Sequence, residues 1–544
     1  MSGNKPTRLH PSAHQDTFCR DNLPPADQWP DLVFDLPELR YADRLNCAVE
    51  LIDVTAERLG RDRTCLITPG GERWSYGDLV DRTNQVARVL VEDHHIVPGN
   101  RVLLRGPNNP WMVACLFGVM KAGAVAVTTM PLLRAGELAT VADITRPDLA
   151  LCDHRFLPDI VNAHITGLPI VAFGAAAADD FTAQALAKPA SFEAVQTSSD
   201  DVVLLALTSG TTGRPKATMH FHRDVLAIAD TFSAHVLRPS AEDIFTGTPP
   251  LAFTFGLGGL LVFPLRVGAS ALLIEKASPD ELADLIAEHK VSICFTAPTG
   301  YRAMLASGKA ASLRSLRRAV SAGEHLPEAT WRAFADATGV HLIDGIGATE
   351  MLHIFISAAD DEIRPGSTGV PVPGFQAAIL DPGGRPVPPG TLGRLAVKGP
   401  TGCRYLNDPR QTAYVQNGWN ITGDTFVQDT DGYFIYQARS DDMIISAGYN
   451  IAGPEVEEAL LAHEDVLECC VIGVPDEAKG QIVKAFVVMR DGGAGGEARA
   501  QELIEFTRHR IAPYKCPRVI EFVTSLPRTA TGKLQRYVLR GVAT

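Results

Sequence analysis

The stretch from Leu207 to Lys216 carries the residue types most suited to chemistry. It reads Leu-Thr-Ser-Gly-Thr-Thr-Gly-Arg-Pro-Lys and follows the apolar run Val202–Ala206. Glycines let backbone amides turn toward one centre, hydroxyls add donors and the lysine adds a positive charge, a combination that cradles phosphate oxygens. The order is not that of a Walker A loop. A Ser/Thr/Gly linker is the plainer interpretation, but the preceding strand and the lysine favour a polyphosphate site.

Two charged side chains farther along the chain could act with this loop. Glu350 ends the string Gly345-Ile-Gly-Ala-Thr-Glu350, and a carboxylate on a glycine-rich turn offers hard oxygens for Mg²⁺ that bridges phosphates. Taken alone, Glu350 would read as an exposed turn residue. Lys533 ends the string Pro527-Arg-Thr-Ala-Thr-Gly-Lys533. Taken alone, Lys533 would read as an ordinary surface lysine, although a positioned ammonium can offset the repulsion between two anions.

These groups must be positioned by a large mixed fold. Apolar strands such as Val102–Arg105 and Ile293–Thr296 alternate with helical segments such as Pro279–His289, which predicts parallel sheets with helices on their faces. From about residue 365, Pro- and Gly-rich hairpin signals predict a β-rich subdomain. The sequence therefore predicts a mixed α/β and α+β fold. We expect an N-terminal domain over residues 1–438 and a small, mobile α+β domain over residues 439–544.

Composition and charge narrow the class of protein. The chain has 544 residues and a formal charge of −13, which argues against partners such as nucleic acid or an anionic membrane. Ten scattered cysteines without a CxxC pair predict reduced thiols in a cytoplasmic enzyme. The most membrane-like stretch, Trp111–Leu133, is interrupted by Lys121, Gly123 and Pro131, so we expect a buried helix followed by a strand. A homodimer is compatible with the sequence, which does not fix the oligomeric state.

The loop Leu207–Lys216 resembles the hallmark phosphate loop of the adenylate-forming superfamily, which includes acyl-CoA synthetases. Further strings resemble that family's motifs in the same order: Ala322-Gly-Glu-His-Leu-Pro327, Gly345–Glu350, Trp419-Asn-Ile-Thr-Gly-Asp424, Ala438–Ile451 and Pro527–Lys533. The resemblance implies an ATP/AMP site formed by Thr208, Ser209, Gly210, Thr211, Thr212, Gly213, Lys216, Gly323, Glu324, Gly345, Ile346, Gly347, Asp424 and Arg439. It also implies catalytic roles for Thr349, Glu350 and Lys533, with Glu350 as the Mg²⁺ ligand.

The same resemblance assigns three roles to residues of the expected C-terminal domain. Asp441 matches the hinge residue between the domains, and Gly448 matches the residue beside the tunnel for the thiol of coenzyme A. Lys533 would bridge the substrate carboxylate and the nucleotide. The sequence departs from the commoner family pattern at Ile346, where an aromatic residue usually flanks the adenine. A stacking role for Ile346 is therefore not expected.

The acid is expected to bind between the phosphate loop and Glu350. Residues 249–259 contain no Asp, which argues against an α-amino acid substrate. The string Gly345–Phe355 and the N-terminal stretch Ser12–Pro30 are similar to benzoate-CoA and 2-aminobenzoate-CoA ligases, which implies a small aromatic carboxylic acid. The expected pocket residues are Phe253, Thr254, Phe255, Gly256, Ile346 and His353. Core packing is the alternative for the phenylalanines and for His353.

The resemblance implies an aryl-CoA ligase that uses ATP, Mg²⁺ and coenzyme A. The acid would first form an aroyl-AMP with release of pyrophosphate, and the thiol would then form an aroyl-CoA with release of AMP. A rotation about Asp441 would let one site serve both steps. Three alternatives stay open: an enzyme that loads a carrier-protein pantetheine, a luciferase-like monooxygenase, and a nucleotide-binding regulator without catalysis.

Overall fold

The computed structural model describes residues 9–175, 177, 180–208, 215–439, 442–446, 449–476, 479–493, 495–528 and 534–542. Two large sheets form its centre. The first has the strand order Ile170–Phe173, Leu149–Asp153, Arg101–Arg105, Val125–Thr129, Val202–Thr208 and Lys216–Phe221. Its strands are parallel except for the last pair. Strands such as Val125–Thr129 are buried along their whole length, as is usual for parallel strands covered on both faces.

The second sheet has nine strands. Their order is Val370–Pro371, Ile354–Ser357, Leu342–Gly347, Arg318–Ala322, Ile293–Thr296, Ile244–Gly247, Ser270–Leu272, Thr64–Ile67 and Arg73–Ser75. Strands of both sheets, including Leu104 and Ile343, contribute to one hydrophobic core. Val202–Thr208, Arg318–Ala322 and Leu342–Gly347 end at or beside residues predicted for the nucleotide site. This agrees with the tendency of parallel sheets to bind ligands beyond the carboxyl ends of their strands.

Helices pack against the sheets, and several of them begin at a residue whose side chain caps the helix. Ser278 caps Pro279–Glu288 by accepting from the Glu281 amide, while the Glu281 side chain accepts from the Ser278 amide. The longer helices are Tyr76–Arg88, Pro110–Lys121, Ala135–Thr145, Pro279–Glu288, Pro298–Ala306, Glu328–Thr338, Gly453–Leu461 and Glu497–Arg508. The shorter ones are Phe18–Asp21, Val54–Leu59, Leu157–Asn162, Phe181–Ala187, His222–Ile228, Thr254–Leu257, Phe263–Val267, Gln411–Tyr414 and Arg536–Val542.

A third sheet follows the β-rich region expected after residue 365. It consists of Gln376–Leu380, Leu392–Lys398, Trp419–Gln428, Val415–Gln416 and Phe434–Arg439. The C-terminal part has the sheet Val466–Asp476, Gly480–Met489 and Val519–Phe522, and the hairpin Ile444–Ser446 with Tyr449–Ile451. The predicted fold class is confirmed, while the boundary between residues 438 and 439 stays a prediction.

The stretch Trp111–Leu133 has the predicted local structure. Helix Pro110–Lys121 is buried, Gly123 turns the chain with φ +70, and strand Val125–Thr129 follows. Within the described ranges, no helix has the length and apolar character needed to cross a membrane. All ten cysteines are free and buried.

Candidate active site

The predicted phosphate loop connects two antiparallel strands. Thr208 ends one strand, Lys216 begins the next, and the two residues are paired in register. Strand Lys216–Phe221 was not predicted, because it buries the polar Thr218 and His220 and therefore lacks an apolar pattern. Ser209, Gly210, Thr211, Thr212 and Gly213 lie outside the described residues, so their predicted contacts stay predictions.

Lys216 and Glu350 are brought together around Tyr405. The Lys216 ammonium donates to the Tyr405 hydroxyl at 2.7 Å, and that hydroxyl donates to Glu350 Oε1. The Lys216 Nζ atom is 3.7 Å from the same carboxylate oxygen. Burial, together with the neighbouring Glu350 charge, holds the pKa of Tyr405 far above its usual range. The phenol therefore keeps its proton and can donate to the carboxylate.

Tyr405 was missed by sequence reasoning, and no local pattern could have revealed it. Its backbone pairs with Thr218 in an isolated bridge, so the connection between strands Leu392–Lys398 and Val415–Gln416 of the third sheet reaches the phosphate-loop hairpin. Tyr414 packs edge-on against Tyr405 with ring centroids 5.7 Å apart. Lys216 Nζ lies 4.5 Å from the Tyr405 ring centroid. The two rings give this lysine a shielded, electron-rich surface.

Thr349 is held through its backbone by a buried histidine. His220 Nε2 is 2.9 Å from the Thr349 carbonyl oxygen, and since a carbonyl only accepts, Nε2 carries the proton. His220 Nδ1 faces Asp224 at 3.9 Å, and Asp224 is paired with the fully buried Arg404. Burial alone would raise the pKa of Asp224, but the Arg404 charge brings it below its ordinary value. A buried charged network thus supports the Thr349–Glu350 turn.

Gly345, Ile346 and Gly347 lie beside the predicted adenine loop. Gly345 is in register with Ala322, the residue before Gly323. The Glu324 carboxylate accepts a hydrogen bond from Arg528 Nη1 at 3.0 Å. Asp344, the residue before Gly345, was also missed by sequence reasoning. Burial raises the pKa of the Asp344 carboxyl to about 8, so near neutral pH it can donate a hydrogen bond.

Asp424 and Arg439 face each other across adjacent strands. They are paired in register, with Arg439 Nη1 3.4 Å from Asp424 Oδ1. Gly423 lies inside strand Trp419–Gln428 with φ +79, where the strand pairing is irregular, and a Cβ at this position would lie 3.2 Å from Arg439 Nη2. Glycine therefore permits both this backbone conformation and the close approach of the guanidinium. The structure thus places these two predicted residues together.

The predicted acyl pocket contains an aromatic cluster around His353. The imidazole centroid lies 5.7 Å from the ring of Phe255, and other phenylalanines lie 4.6 to 6.3 Å away. The ring is 3% exposed, and burial lowers the pKa of His353 to about 3, so the imidazole is neutral. A Cβ on Gly258 would lie only 2.3 Å from His353 Cδ2. Gly258 therefore sets the position of the histidine.

The other predicted pocket residues lie around the start of one short helix. Phe253 precedes helix Thr254–Leu257, and its amide donates to the Pro250 carbonyl at 3.0 Å. Gly256 is buried, whereas Phe255 and Ile346 are half-buried and pack on the core. Among the described residues, the rings within 6.3 Å of the His353 imidazole do not include that of Phe253. Asp441, Gly448 and Lys533 fall outside that part, so their predicted roles stay predictions.

Two family models match the chain. The model described as "AMP-binding enzyme" matches residues 52–405, and the model described as "AMP-binding enzyme C-terminal domain" matches residues 455–533. The chain belongs to the family of AMP-binding enzymes. This confirms the resemblance to adenylate-forming acyl-CoA synthetases.

Two curated relatives of this AMP-binding enzyme span nearly all of it. It is 35% identical to the benzoate–CoA ligase of Thauera aromatica, over 93% of this chain and 97% of that one. It is 33% identical to the 3-hydroxybenzoate–CoA ligase of Aromatoleum sp. (strain CIB), over 91% of this chain and 96% of that one.

Solved structures of similar proteins have the same fold. An anthranilate CoA ligase, AuaEII, in complex with anthranoyl-AMP is 35% identical, with a TM-score of 0.88 over 94% of this chain and 99% of that one. A benzoate CoA ligase from Burkholderia xenovorans LB400 is 31% identical, with a TM-score of 0.84 over 91% of this chain and 100% of that one. These similarities agree with the predicted mixed fold of this AMP-binding enzyme.

Proposed function

We propose that this AMP-binding enzyme is an AMP-forming aryl-CoA ligase. The observation that carries the proposal is the meeting of Lys216 and Glu350 around Tyr405, beside the phosphate-loop hairpin. A lysine from that hairpin and a carboxylate from the Gly345–Glu350 motif are what binding of a metal-chelated polyphosphate requires. The full-length similarity to ligases of benzoate and its derivatives supports an aromatic acid as substrate.

In the first half-reaction, a carboxylate oxygen of the acid attacks the α-phosphorus of ATP. The bond from that phosphorus to the oxygen bridging the β-phosphorus breaks, and pyrophosphate leaves. Lys216 would offset charge on the departing phosphates, and Lys533 would hold the acid carboxylate near the α-phosphate. The Asp424 carboxylate suits the two ribose hydroxyls, because it can accept two hydrogen bonds.

Mg²⁺ would reach the site together with ATP. Within the described residues no group of three or more His, Cys, Asp or Glu side chains could hold a metal by itself. Glu350 offers one buried carboxylate, which fits a cation that takes one or two protein carboxylates and completes its shell with substrate phosphates and water. When bound, Mg²⁺ would neutralise phosphate charge, while Tyr405 and Lys216 orient the carboxylate that holds it.

In the second half-reaction, the thiol sulfur of coenzyme A attacks the carbonyl carbon of the aroyl-AMP. The bond from that carbon to the phosphate oxygen breaks, AMP leaves, and the thiol proton passes to solvent. We propose that the C-terminal part rotates about Asp441 between the two steps and brings Gly448 to the thiol tunnel.

The acid is proposed to be 2-aminobenzoate or benzoate. The pocket would be bounded by Phe255 and Ile346, with the neutral His353 behind them. A flat ring fits beside an aliphatic Ile346 more easily than beside a bulky aromatic residue. A ring substituent contributes only about 1–3 kcal/mol to selectivity, so the choice between related acids depends on fine contacts.

The deciding experiment is acid-dependent ATP–pyrophosphate exchange with benzoate, 2-aminobenzoate, hydroxybenzoates and aliphatic acids, followed by detection of the thioester with free coenzyme A. We expect exchange with the aromatic acids and formation of aroyl-CoA. A preference for aliphatic acids would overturn the aryl assignment. Exchange without aroyl-CoA, but with labelling of a carrier-protein pantetheine, would overturn the choice of acceptor. No exchange with any acid would support a non-catalytic nucleotide-binding protein.

A further inference from the structure

Arg528 joins the C-terminal part of the chain to the predicted adenine loop. Its Nη1 donates to Glu324 Oε1 at 3.0 Å, and its Nη2 donates to Glu468 Oε2 at 3.1 Å. Glu324 follows strand Arg318–Ala322 of the large sheet, whereas Glu468 belongs to the C-terminal strand Val466–Asp476. One planar guanidinium therefore holds a carboxylate from each part at the same time.

The contact with Glu324 is shielded from solvent. The exposed fractions of the two side chains are 24% for Arg528 and 15% for Glu324. An ion pair at this depth is screened less by salt than a surface pair. A second contact crosses the same boundary, because the Glu328 amide donates to Glu458 Oε1 at 3.1 Å. Both contacts involve the stretch 324–328, directly after the strand that adjoins Gly345.

The backbone of Arg528 also pairs with the residue that directly follows the last motif. Its backbone is bridged to Leu534, and the Gln535 amide donates to the Pro527 carbonyl at 2.9 Å. Leu534 immediately follows Lys533 in the sequence. The residue that binds Glu324 thus anchors the chain directly beside the predicted catalytic lysine.

Glu468 lowers the free-energy cost of separating Arg528 from Glu324. Glu468 lies in the C-terminal sheet, so it would accompany Arg528 if the C-terminal part moved away from Glu324. Arg528 would then keep one carboxylate partner, and Glu324 would be left at a surface open to water. Neither charge would become buried and unpaired, which is the costly outcome when a shielded ion pair is separated.

We propose that Arg528 is a positioning residue for acyl-adenylate formation. Its bond to Glu324 holds the chain next to Lys533 against the nucleotide loop during the first half-reaction, and the bond is released before the thioester forms. This inference rests on the proposed function, since it divides that reaction into a step that needs the contact and a step that does not.

The test measures the two half-reactions separately in Arg528→Gln. We expect ATP–pyrophosphate exchange to fall about ten-fold, the effect of losing a hydrogen bond between charged groups. Formation of benzoyl-CoA from supplied benzoyl-AMP and coenzyme A should stay within about two-fold of the wild-type rate. Equal losses in both half-reactions would indicate a merely structural role and overturn the proposal, as would unchanged exchange.

Two further variants decide whether Glu324 is the partner that matters. Glu324→Gln should reduce exchange as Arg528→Gln does, and the double variant should be no worse than either single one, because both remove the same bond. Additive losses would contradict the pairing. Arg518→Gln is the matched control: this arginine lies in the same part of the chain and donates to the Pro513 carbonyl within it. It should leave both half-reactions unchanged, and a loss equal to that in Arg528→Gln would count against a specific contact.

Hydrogen–deuterium exchange gives a readout that does not depend on activity. Arg528→Gln should accelerate exchange over residues 323–328, which include the Glu328 amide bonded to Glu458, whereas Arg518→Gln should not. Unaltered protection in Arg528→Gln would overturn the proposal even if the acid substrate were misassigned. Wild-type protein without pyrophosphate exchange would count against the proposed function alone, and the protection pattern would still decide the role of Arg528.

Discussion

The Tyr405 hydroxyl donates a hydrogen bond to the carboxylate of Glu350, and the tyrosine is in turn the acceptor for the Lys216 ammonium 2.7 Å away. The phenol therefore lies between two opposite charges whose Nζ and Oε1 atoms are 3.7 Å apart, which is longer than a hydrogen bond. A tighter direct pair would compete with ATP, which needs the lysine for its phosphates and the carboxylate for its metal. Tyr405 holds both groups near their working positions and takes the short hydrogen bond that each could otherwise make to the other.

Replacing Tyr405 with Phe should weaken the binding of the nucleotide. Loss of a hydrogen bond to a charged group costs about 1.5–3 kcal/mol, so we expect the KM for MgATP in pyrophosphate exchange to rise at least about ten-fold. The KM for the aromatic acid should change little, because no described contact links Tyr405 to the aromatic cluster. Tyr433→Phe is the control, since it also removes a buried phenol hydroxyl, which donates to the Glu362 carbonyl away from the nucleotide site. Equal effects in the two variants would contradict a specific role for Tyr405.

His220→Ala should disturb the Thr349–Glu350 turn from behind. The substitution removes the donor to the Thr349 carbonyl and opens space next to the buried Asp224–Arg404 pair. We expect a loss of about 1–3 kcal/mol in the free energy of unfolding, together with a raised KM for MgATP. His235→Ala is the comparison, because His235 contacts Glu38 on the exposed surface. A stability loss without a change in KM would show that the histidine does not position the turn.

Much of the fold could be predicted, because many of its strands are apolar and several helices begin at a capping residue. Strand Ile293–Thr296 was predicted with its observed bounds. Strand Lys216–Phe221 could not be predicted, since Thr218 and His220 are buried by partners more than a hundred residues away. Pattern arguments treat such polar side chains as exposed, and here tertiary contacts override the pattern.

The residues of the candidate site also fall into those that the sequence could predict and those that it could not. Glu350 and Asp424 could be proposed because each stands in a short motif with its own chemistry. Tyr405, Asp344 and Arg528 could not, because their environment depends on burial and on partners that only the fold brings near. Glu324 was predicted from its loop, but its carboxylate engages an arginine from the C-terminal part of the chain.

Gly258→Ala should weaken the use of the aromatic acid without changing the binding of the nucleotide. Gly258 has φ −63 and ψ −58, so alanine suits its backbone, and the cost is the added Cβ at 2.3 Å from His353 Cδ2. Overpacking of this kind costs about 1–3 kcal/mol, and we expect kcat/KM for the aromatic acid to fall by about 10–100-fold with an unchanged KM for MgATP. Gly136→Ala, in a helix with no heavy atom near the added Cβ, should leave both parameters unchanged. An unaltered acid dependence in Gly258→Ala would place the acid away from His353.

The Asp344 carboxyl should make the free energy of unfolding depend on pH, and the isosteric change Asp344→Asn should remove that dependence. Burial raises the pKa of its carboxyl to about 8, whereas an unfolded aspartate titrates near pH 4. Between these values the folded protein holds a proton that the unfolded chain has released, so stability falls as pH rises through this window. Asp344→Asn keeps the shape of the side chain and removes its titration.

The free energy of unfolding of Asp344→Asn, relative to that of the wild type, should therefore increase between pH 5 and pH 8, on the order of 1–3 kcal/mol. Urea unfolding at both pH values measures this difference, with the exposed Asp361→Asn as control. If the advantage of Asp344→Asn were the same at both pH values, the Asp344 carboxyl would already be ionised at pH 5 and could not act as a donor beside Gly345.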